Sequence, residues 1–218
     1  TGRKKWKPNT HFTGDNMILV ENISKAYGDK LILKSINLQF KQNNITVLLG
    51  KSGEGKTTLF RIIAGIEDQD EGKVIIDSTK TTMVFQDNQL YPHLNVVNNL
   101  MTPQRVILKR TKKEATIISD DILKRLNIEY LKYNTVESLS GGEAQRVAIA
   151  RALAMDKDII LFDEPTSALD RENINILIGL LKDLKKDKTV LIITHDEEFS
   201  IGVADTIYRI ENGEIKKA

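Results

Sequence analysis

The sequence predicts an α/β fold with a mostly parallel sheet, an antiparallel β edge and an inserted helical segment. Short runs rich in β-branched residues alternate with longer stretches of helical periodicity, as in strands joined by helices. Three of these runs, Ile45–Leu49, Ile159–Phe162 and Val190–Ile193, are continuously apolar, which is typical of strands buried on both faces. We therefore expect a central sheet of parallel strands covered by helices.

The other elements follow in chain order. Ile18–Val20 and Ile36–Phe40 alternate apolar and polar residues, which predicts half-exposed strands of an antiparallel edge. Residues 87–156 contain no comparable buried strand, but Lys112–Leu126 and Glu143–Met155 show helical spacing of apolar positions. We expect this stretch to form a helical subdomain inserted into the α/β core.

The two ends of the chain carry different patterns. Thr206–Ile210 and Glu214–Lys216 predict two strands joined by an Asn-Gly turn. Residues 1–16 are basic and lack the apolar stretch of a secretory signal, so we expect a leader or an added remnant there. The predicted domain occupies residues 17–218.

Composition excludes several classes of protein. The 218 residues suit one domain with an insertion, since domains typically hold ~100–200 residues. The chain has no cysteine, which excludes disulfide scaffolds, thiolate zinc sites and cysteine nucleophiles. The net charge of +2 arises from the first sixteen residues, so bulk charge indicates no nucleic-acid-binding face. No apolar run approaches the ~18–20 residues of a membrane-spanning helix.

A phosphate-binding loop follows the first buried strand. Residues 50–58 read GKSGEGKTT, which matches G-x-x-x-x-G-K-[ST] between a strand and a helical run over Thr58–Ala64. Glycines let consecutive N–H groups turn inwards around a phosphate, and the helix N-terminus adds positive partial charge. We expect Lys56 to reach the β- and γ-phosphates and the Thr57 hydroxyl to ligate Mg²⁺. The predicted nucleotide-binding residues of this P-loop are Gly50, Lys51, Ser52, Gly53, Glu54, Gly55, Lys56, Thr57 and Thr58.

Acidic and basic side chains follow the other two buried strands. Asp163 and Glu164 lie at a strand's carboxyl end, where open α/β sheets bind ligands. We expect Asp163 to hold Mg²⁺. Glu164 either points to the opposite face or turns with the loop, and is the candidate general base for an attacking water. His195 follows the third strand and is a candidate contact of the γ-phosphate.

Residues 139–146 read LSGGEAQR and open a helix. Here the sequence resembles the ATPase subunits of ATP-binding cassette (ABC) transporters, whose signature begins LSGGQ or LSGGE. The resemblance extends over nearly the whole chain from Met17, with six motifs in family order. It implies that Tyr27 stacks on adenine and that Gln86 senses the metal and the attacking water. The residues that it assigns are Tyr27, Gln86, Ser140, Gly141, Gly142, Asp163, Glu164, Asp170 and His195, with Thr57, Gln86 and Asp163 as metal ligands.

The resemblance also implies a function. Such an ATPase uses ATP and Mg²⁺, catalyses hydrolysis with Glu164, His195 and Lys56, and powers solute movement through ATP-driven dimerisation. Two copies pack head to tail, so that each ATP lies between one copy's P-loop and the other's Ser140. The implied partners are a second copy, transmembrane permease subunits and, for an importer, a solute-binding protein, at the cytoplasmic face of the membrane. No nucleic-acid partner is expected.

Direction and cargo stay open at this point. Gln86–Leu100 is similar to the same segment of polar amino-acid uptake ATPases, which favours an importer. Exporter ATPases for lipoproteins, peptides or macrolides have nearly the same length and motifs. A DNA-associated ABC ATPase is the less favoured alternative, because the segment between Lys56 and Leu139 leaves no room for a coiled coil and contains no cysteine.

Overall fold

A computed structural model describes residues 16–217. The expected leader therefore lies outside the described residues, apart from Asn16, with which the first strand begins. In chain order the elements are β1 (Asn16–Tyr27), β2 (Lys30–Lys41), β3 (Ile45–Leu49), α1 (Lys56–Ile63), β4 (Glu71–Ile76), β5 (Thr81–Val84), α2 (Val96–Val106), α3 (Lys112–Arg125), α4 (Gly141–Leu153), β6 (Ile159–Asp163), α5 (Arg171–Leu184), β7 (Thr189–Thr194), α6 (Glu197–Val203), β8 (Thr206–Glu211) and β9 (Glu214–Lys217).

The strands of the described chain form two sheets. One is antiparallel, in the order β2-β1-β4, and the other has the order β5-β6-β7-β3-β8-β9. In the larger sheet the first five strands run parallel, and β9 pairs with β8 in the antiparallel sense. The turn between β8 and β9 uses Asn212 and Gly213, both with positive φ (51° and 76°). The predicted α/β fold, its antiparallel edge and its final hairpin are confirmed.

The central strands β3, β6 and β7 are buried along their whole length. In β3, Ile45 and Val47 pack into one apolar cluster with α2 to α5, whereas Leu48 packs into a second cluster with α1 and the antiparallel sheet. Successive side chains of a strand point to opposite faces, so a strand covered on both faces needs an unbroken apolar run. This is why the sequence identifies these strands.

The antiparallel strands are longer than predicted. The register between β1 and β2 shifts several times, including at Val20/Ile23, and both Asn22 and Ser35 have positive φ (52° and 50°). Each shift reverses the face to which the following side chains point. The alternation of buried and exposed residues predicted over Ile36–Phe40 is observed. Because of the register shifts, the same alternation does not continue through the rest of β2.

Three α-helices lie between β5 and β6. Of the two predicted there, α3 ends one residue early, and α4 begins at Gly141 rather than Glu143 because Ser140 caps it. The sequence pattern does not indicate α2, in which Pro103 and two asparagines lower helix propensity. Packing of Val96 and Leu100, both fully buried, favours that helix instead. No helix within residues 16–217 has the length and apolar character that crossing a membrane requires.

Candidate nucleotide site

The P-loop connects β3 to α1 at the carboxyl edge of the larger sheet. The Gly50 N–H donates to the Thr194 carbonyl at 3.3 Å, which joins the start of the loop to the end of β7. Gly55 lies at the N-cap of α1 with φ 93°. A Cβ at this position would come within 2.9 Å of the Ile32 side chain in β2. Both the left-handed backbone and the close approach therefore require glycine here.

Three strands end at the same level of this edge. Leu49 at the end of β3 pairs with Thr194, and Asp163 at the end of β6 pairs with Ile193. The residues that follow β3, β6 and β7 therefore emerge side by side. Parallel strands bring chemistry from distant parts of the sequence together in this way.

Glu164 lies between Lys56 and His195. Glu164 has a φ of 47°, so its backbone leaves the extended conformation of β6. The side chain therefore turns with the loop, as one of the two predicted orientations requires, and does not continue the alternation of the strand. One carboxylate oxygen is 3.6 Å from Lys56 Nζ, and the other is 3.0 Å from His195 Nδ1. Lys56 Nζ also donates to the carbonyls of Gly50 (2.7 Å) and Lys51 (3.0 Å). Glu164 is thus ion-paired with Lys56 and hydrogen-bonded to the His195 imidazole.

These side chains face a cavity of about 580 Å³. Its walls come from β1, β2, the P-loop, the segment after β5 and the ends of β6 and β7. The lining residues are Tyr27, Ile32, Lys51, Ser52, Gly53, Gly55, Lys56, Thr57, Thr58, Gln86, Glu164 and His195. The structure thus brings most of the sequence-predicted residues together in one cavity.

A neighbouring cavity of about 650 Å³ contains the three predicted metal ligands, Thr57, Gln86 and Asp163. Asp163 is 5% exposed, and its Oδ1 has no hydrogen-bond partner. Burial, followed by the charge of Glu164, raises the pKa of Asp163 to about 6. A buried carboxylate oxygen without a partner, beside a hydroxyl and an amide, is a donor set that suits Mg²⁺.

Tyr27 lies at the rim of the nucleotide cavity, where β1 ends. It is 51% exposed, and its hydroxyl donates to the Glu67 carboxylate. This hydrogen bond raises the pKa of Tyr27 above its ordinary value, with burial as the next cause. Lys25 Nζ lies 5.7 Å from the centre of the ring. A partly exposed, anchored ring of this kind can stack on a nucleobase.

Of the predicted residues, Ser140, Gly141, Gly142 and Asp170 lie on two segments that line neither cavity of their own chain. Ser140 is the exposed N-cap of α4, and Gly141 and Gly142 form the first turn of that helix. A Cβ on Gly142 would come within 2.9 Å of the Ala168 carbonyl. Asp170, two residues further on, accepts from the Asn173 N–H at 2.9 Å and thereby caps α5. The signature and Asp170 thus belong to neighbouring segments outside the cavity.

Two of the predicted P-loop residues lie outside the nucleotide cavity, and some residues that line the cavities were not predicted. Gly50 packs against Ile210, and the Glu54 carboxylate accepts from the Asn212 N–H at 2.6 Å; neither residue lines the nucleotide cavity. Sequence reasoning missed Ile32, which no local pattern marks. It also missed Arg61, which lines the cavity around Asp163. Its spacing of four residues from Thr57 on α1 could have indicated a shared helix face.

A P-loop at the end of a buried strand, an acidic pair at the end of the next and a histidine after a third define a P-loop nucleoside triphosphatase. The family model for "ABC transporter" matches residues 33–167. The chain belongs to the ABC transporter family, as an ATPase. The sequence-based resemblance and its fold are thus confirmed.

Named relatives agree with this assignment. The chain is 39% identical over 214 residues to the glutamine transport ATP-binding protein GlnQ of Bacillus subtilis (strain 168). The alignment covers 91% of this chain and 88% of GlnQ. It is 36% identical to the glutamate/aspartate import ATP-binding protein GltL of Escherichia coli (strain K12), with 91% and 89% covered. A dimeric bacterial ABC transporter cassette, MJ0796, superposes with a TM-score of 0.84 at 33% identity, over 92% of this chain and 98% of that cassette.

Proposed function

We propose that this chain is the ATP-hydrolysing subunit of an importer for polar amino acids, acting peripherally at the cytoplasmic face of a membrane. The convergence of Lys56, Glu164 and His195 on one cavity carries the proposal of hydrolysis. The relatives named for glutamine transport and for glutamate/aspartate import support the class of cargo.

The chain's own residues supply most of the chemistry. Lys56 exchanges its bonds to the P-loop carbonyls for phosphate oxygens and stabilises the charge that develops there. Glu164 accepts a proton from the attacking water as general base. His195, 67% exposed and bonded to Glu164 through Nδ1, directs its other ring nitrogen to the γ-phosphate. These groups orient the water and neutralise charge, which phosphoryl transfer requires.

Mg²⁺ is part of this proposal. Asp163, Thr57 and Gln86 would hold it, and the unpartnered Oδ1 of Asp163 is the observation that supports a cation there. When bound, Mg²⁺ neutralises charge on the phosphates and orients them. Holding this ion also relieves the cost of burying the Asp163 carboxylate.

A second copy of the chain completes the nucleotide site in this proposal. Ser140, Gly141 and Gly142 present a hydroxyl and free helix N–H groups away from the cavity of their own chain, with Asp170 on the adjoining segment. Such groups bind phosphate well. The dimeric cassette that the chain resembles supports a pair of copies. In this proposal the two copies pack head to tail, so that each nucleotide contacts both.

The helical part is proposed as the docking region for a permease. We assign residues 17–218 to the ATPase domain and residues 87–156 to its helical subdomain. A groove of about 610 Å³ separates β5 from α2 and α4, and Met83, Phe85, Tyr91 and Met155 give it an apolar lining. An amphipathic helix from a permease subunit could bury its apolar face here. A solute-binding protein would deliver the cargo to that permease.

Reconstitution tests the proposed function. A candidate permease would be reconstituted in liposomes with this chain inside and its solute-binding protein outside, and ATP hydrolysis would be measured with and without each amino acid. We expect glutamine, glutamate or a similar polar amino acid to stimulate hydrolysis, and Glu164→Gln to abolish it. Stimulation by DNA or by ribosomes, with none by the permease, would overturn the proposal.

A further inference from the structure

Glu143 forms a hydrogen-bond network with Ser140 at the start of α4. The backbone N–H and the hydroxyl of Ser140 each donate to the same Glu143 carboxylate oxygen, both at 2.8 Å. In return, the Glu143 N–H donates to Ser140 Oγ at 3.3 Å. A serine hydroxyl has a single proton, and this chain's own carboxylate already accepts it.

Tyr130 binds the other side of that carboxylate. Its hydroxyl donates to the second Glu143 oxygen at 3.0 Å. The hydrogen bond from the Ser140 N–H, followed by that from the Ser140 hydroxyl, lowers the pKa of Glu143. Glu143 is therefore a negative charge held next to Ser140 by three donors, two from Ser140 and one from Tyr130.

A phosphate that approaches α4 requires the same proton. To bind it, the Ser140 hydroxyl must turn away from Glu143 and donate to a phosphate oxygen. The carboxylate also repels the incoming anion, because two negative charges a few ångströms apart interact unfavourably even near a protein surface. A neutral amide in place of the carboxylate would remove this repulsion and would accept the proton more weakly.

We propose that Glu143 competes with the nucleotide's phosphate for the Ser140 hydroxyl and so raises the ATP concentration at which two copies of the chain pair. Glu143 acts through Ser140 and is a positioning residue. The inference rests on the proposed function, in which Ser140 binds the nucleotide held by a second copy. It goes further by assigning an opposing, threshold-setting role to a neighbouring side chain.

The chain contains a matched control in the other long helix of this region. Thr111 and Glu114 form the same network at the start of α3, with the Thr111 N–H and hydroxyl each 2.7 Å from one Glu114 oxygen. Neither residue lines the nucleotide cavity. Glutamine also serves at the third position of such a cap, so Glu143→Gln and Glu114→Gln both preserve their helices.

The test is an ATP titration of dimer formation in a Glu164→Gln background, followed by analytical ultracentrifugation with Mg²⁺ present. We expect Glu143→Gln to lower the ATP concentration at half-dimerisation about five-fold. Glu114→Gln should leave it unchanged. Thermal unfolding of both variants without nucleotide measures any effect on the helices themselves, and a similar small shift in both is expected.

Ser140→Ala, in the same background, separates this inference from the proposed function. If Ser140→Ala weakens dimerisation but Glu143→Gln leaves it unchanged or weakens it, the role of Glu143 is wrong while the two-copy site stands. If no variant forms an ATP-dependent dimer, or Ser140→Ala has no effect, the two-copy site is wrong and this inference with it.

Discussion

The P-loop and the N-terminus of α4 both present phosphate-binding groups, but the structure completes them to different degrees. Around Lys56, side chains from several strand ends converge on one cavity. Around Ser140, a hydroxyl and free N–H groups lie at the exposed start of a helix, and the hydroxyl donates to the chain's own Glu143. Parallel strand ends can gather distant residues within one chain, whereas a single helix N-terminus presents its groups outwards. In the proposed two-copy site, the P-loop half therefore supplies the chemistry and the α4 half supplies contacts to the phosphate.

The largest effect should come from removing the base in the P-loop half. Glu164→Gln is expected to lower ATP hydrolysis by more than about 100-fold, because general-base catalysis typically contributes that much. Phosphate release measures it. Glu198→Gln changes an exposed carboxylate on α6, paired with Arg171, and should keep the wild-type rate. A near-normal rate for Glu164→Gln would show that the two halves do not differ as described.

Mixing two inactive variants tests whether the halves act across copies. Lys56→Ala and Ser140→Ala should each be nearly inactive alone. Mixed together, they should recover about a quarter of the wild-type rate, because half of randomly formed pairs contain both variants and each such pair keeps one intact site. Phosphate release from the mixture, compared with each variant alone, is the measurement. No recovery at any mixing ratio would mean that both halves serve the nucleotide within one chain.

Removing the Asp163 carboxylate from the P-loop half should change the free energy of unfolding. Without metal or nucleotide, Asp163→Asn should stabilise the fold by roughly 3 kcal/mol at pH 8, because it removes a buried carboxylate whose pKa is raised to about 6. The folded state retains the proton to higher pH than the unfolded state does. The wild-type chain therefore loses this stability as pH rises from about 4 to about 6.

Urea unfolding across this pH range measures the difference between Asp163→Asn and the wild type. The difference should vanish below about pH 4, where the wild-type carboxyl is protonated in both states. A constant difference across the range would contradict the explanation. Asp158→Asn, at a more exposed carboxylate paired with Lys80, is the matched control and should show a small effect.

The smallest effect is expected at the rim of the P-loop half. Tyr27→Ala should raise the KM for ATP about five-fold with little change in kcat, since aromatic stacking contributes about 1 kcal/mol. Tyr27→Phe keeps the ring and loses the bond to Glu67, so its KM should lie between the two. Steady-state kinetics distinguishes these cases. A fall in kcat with KM unchanged would place Tyr27 in the chemistry instead.

The sequence predicted the parts of the fold in which a local pattern has one physical cause. β3, β6 and β7 were identifiable because burial on both faces demands unbroken apolar runs. The helix α2 was not, because Pro103 disfavours it locally and only packing in the folded chain favours it. Likewise, β4 and β5 are short and half-buried, and they acquire their pairing from strands distant in sequence.

The candidate site shows the same division. The P-loop residues and Glu164 could be predicted because they lie within motifs of fixed order and spacing. Ile32 comes from a strand with no such motif, and only the crossing of β2 over the P-loop reveals it. The capping network of Glu143 depends on rotamers and on Tyr130, thirteen residues away. Such contacts exist only once the chain has folded.

The equal height of the ends of β3, β6 and β7 has a consequence for how this chain can vary. Deleting one residue from the middle of β7 would draw His195 back by about 3.3 Å and rotate it to the other side of the strand. Insertions in the exposed connection between α2 and α3 would meet no such restriction. Insertions and deletions should therefore be confined to the connections between elements. The number of residues between the middle of each of these strands and the site residue that follows it should stay fixed.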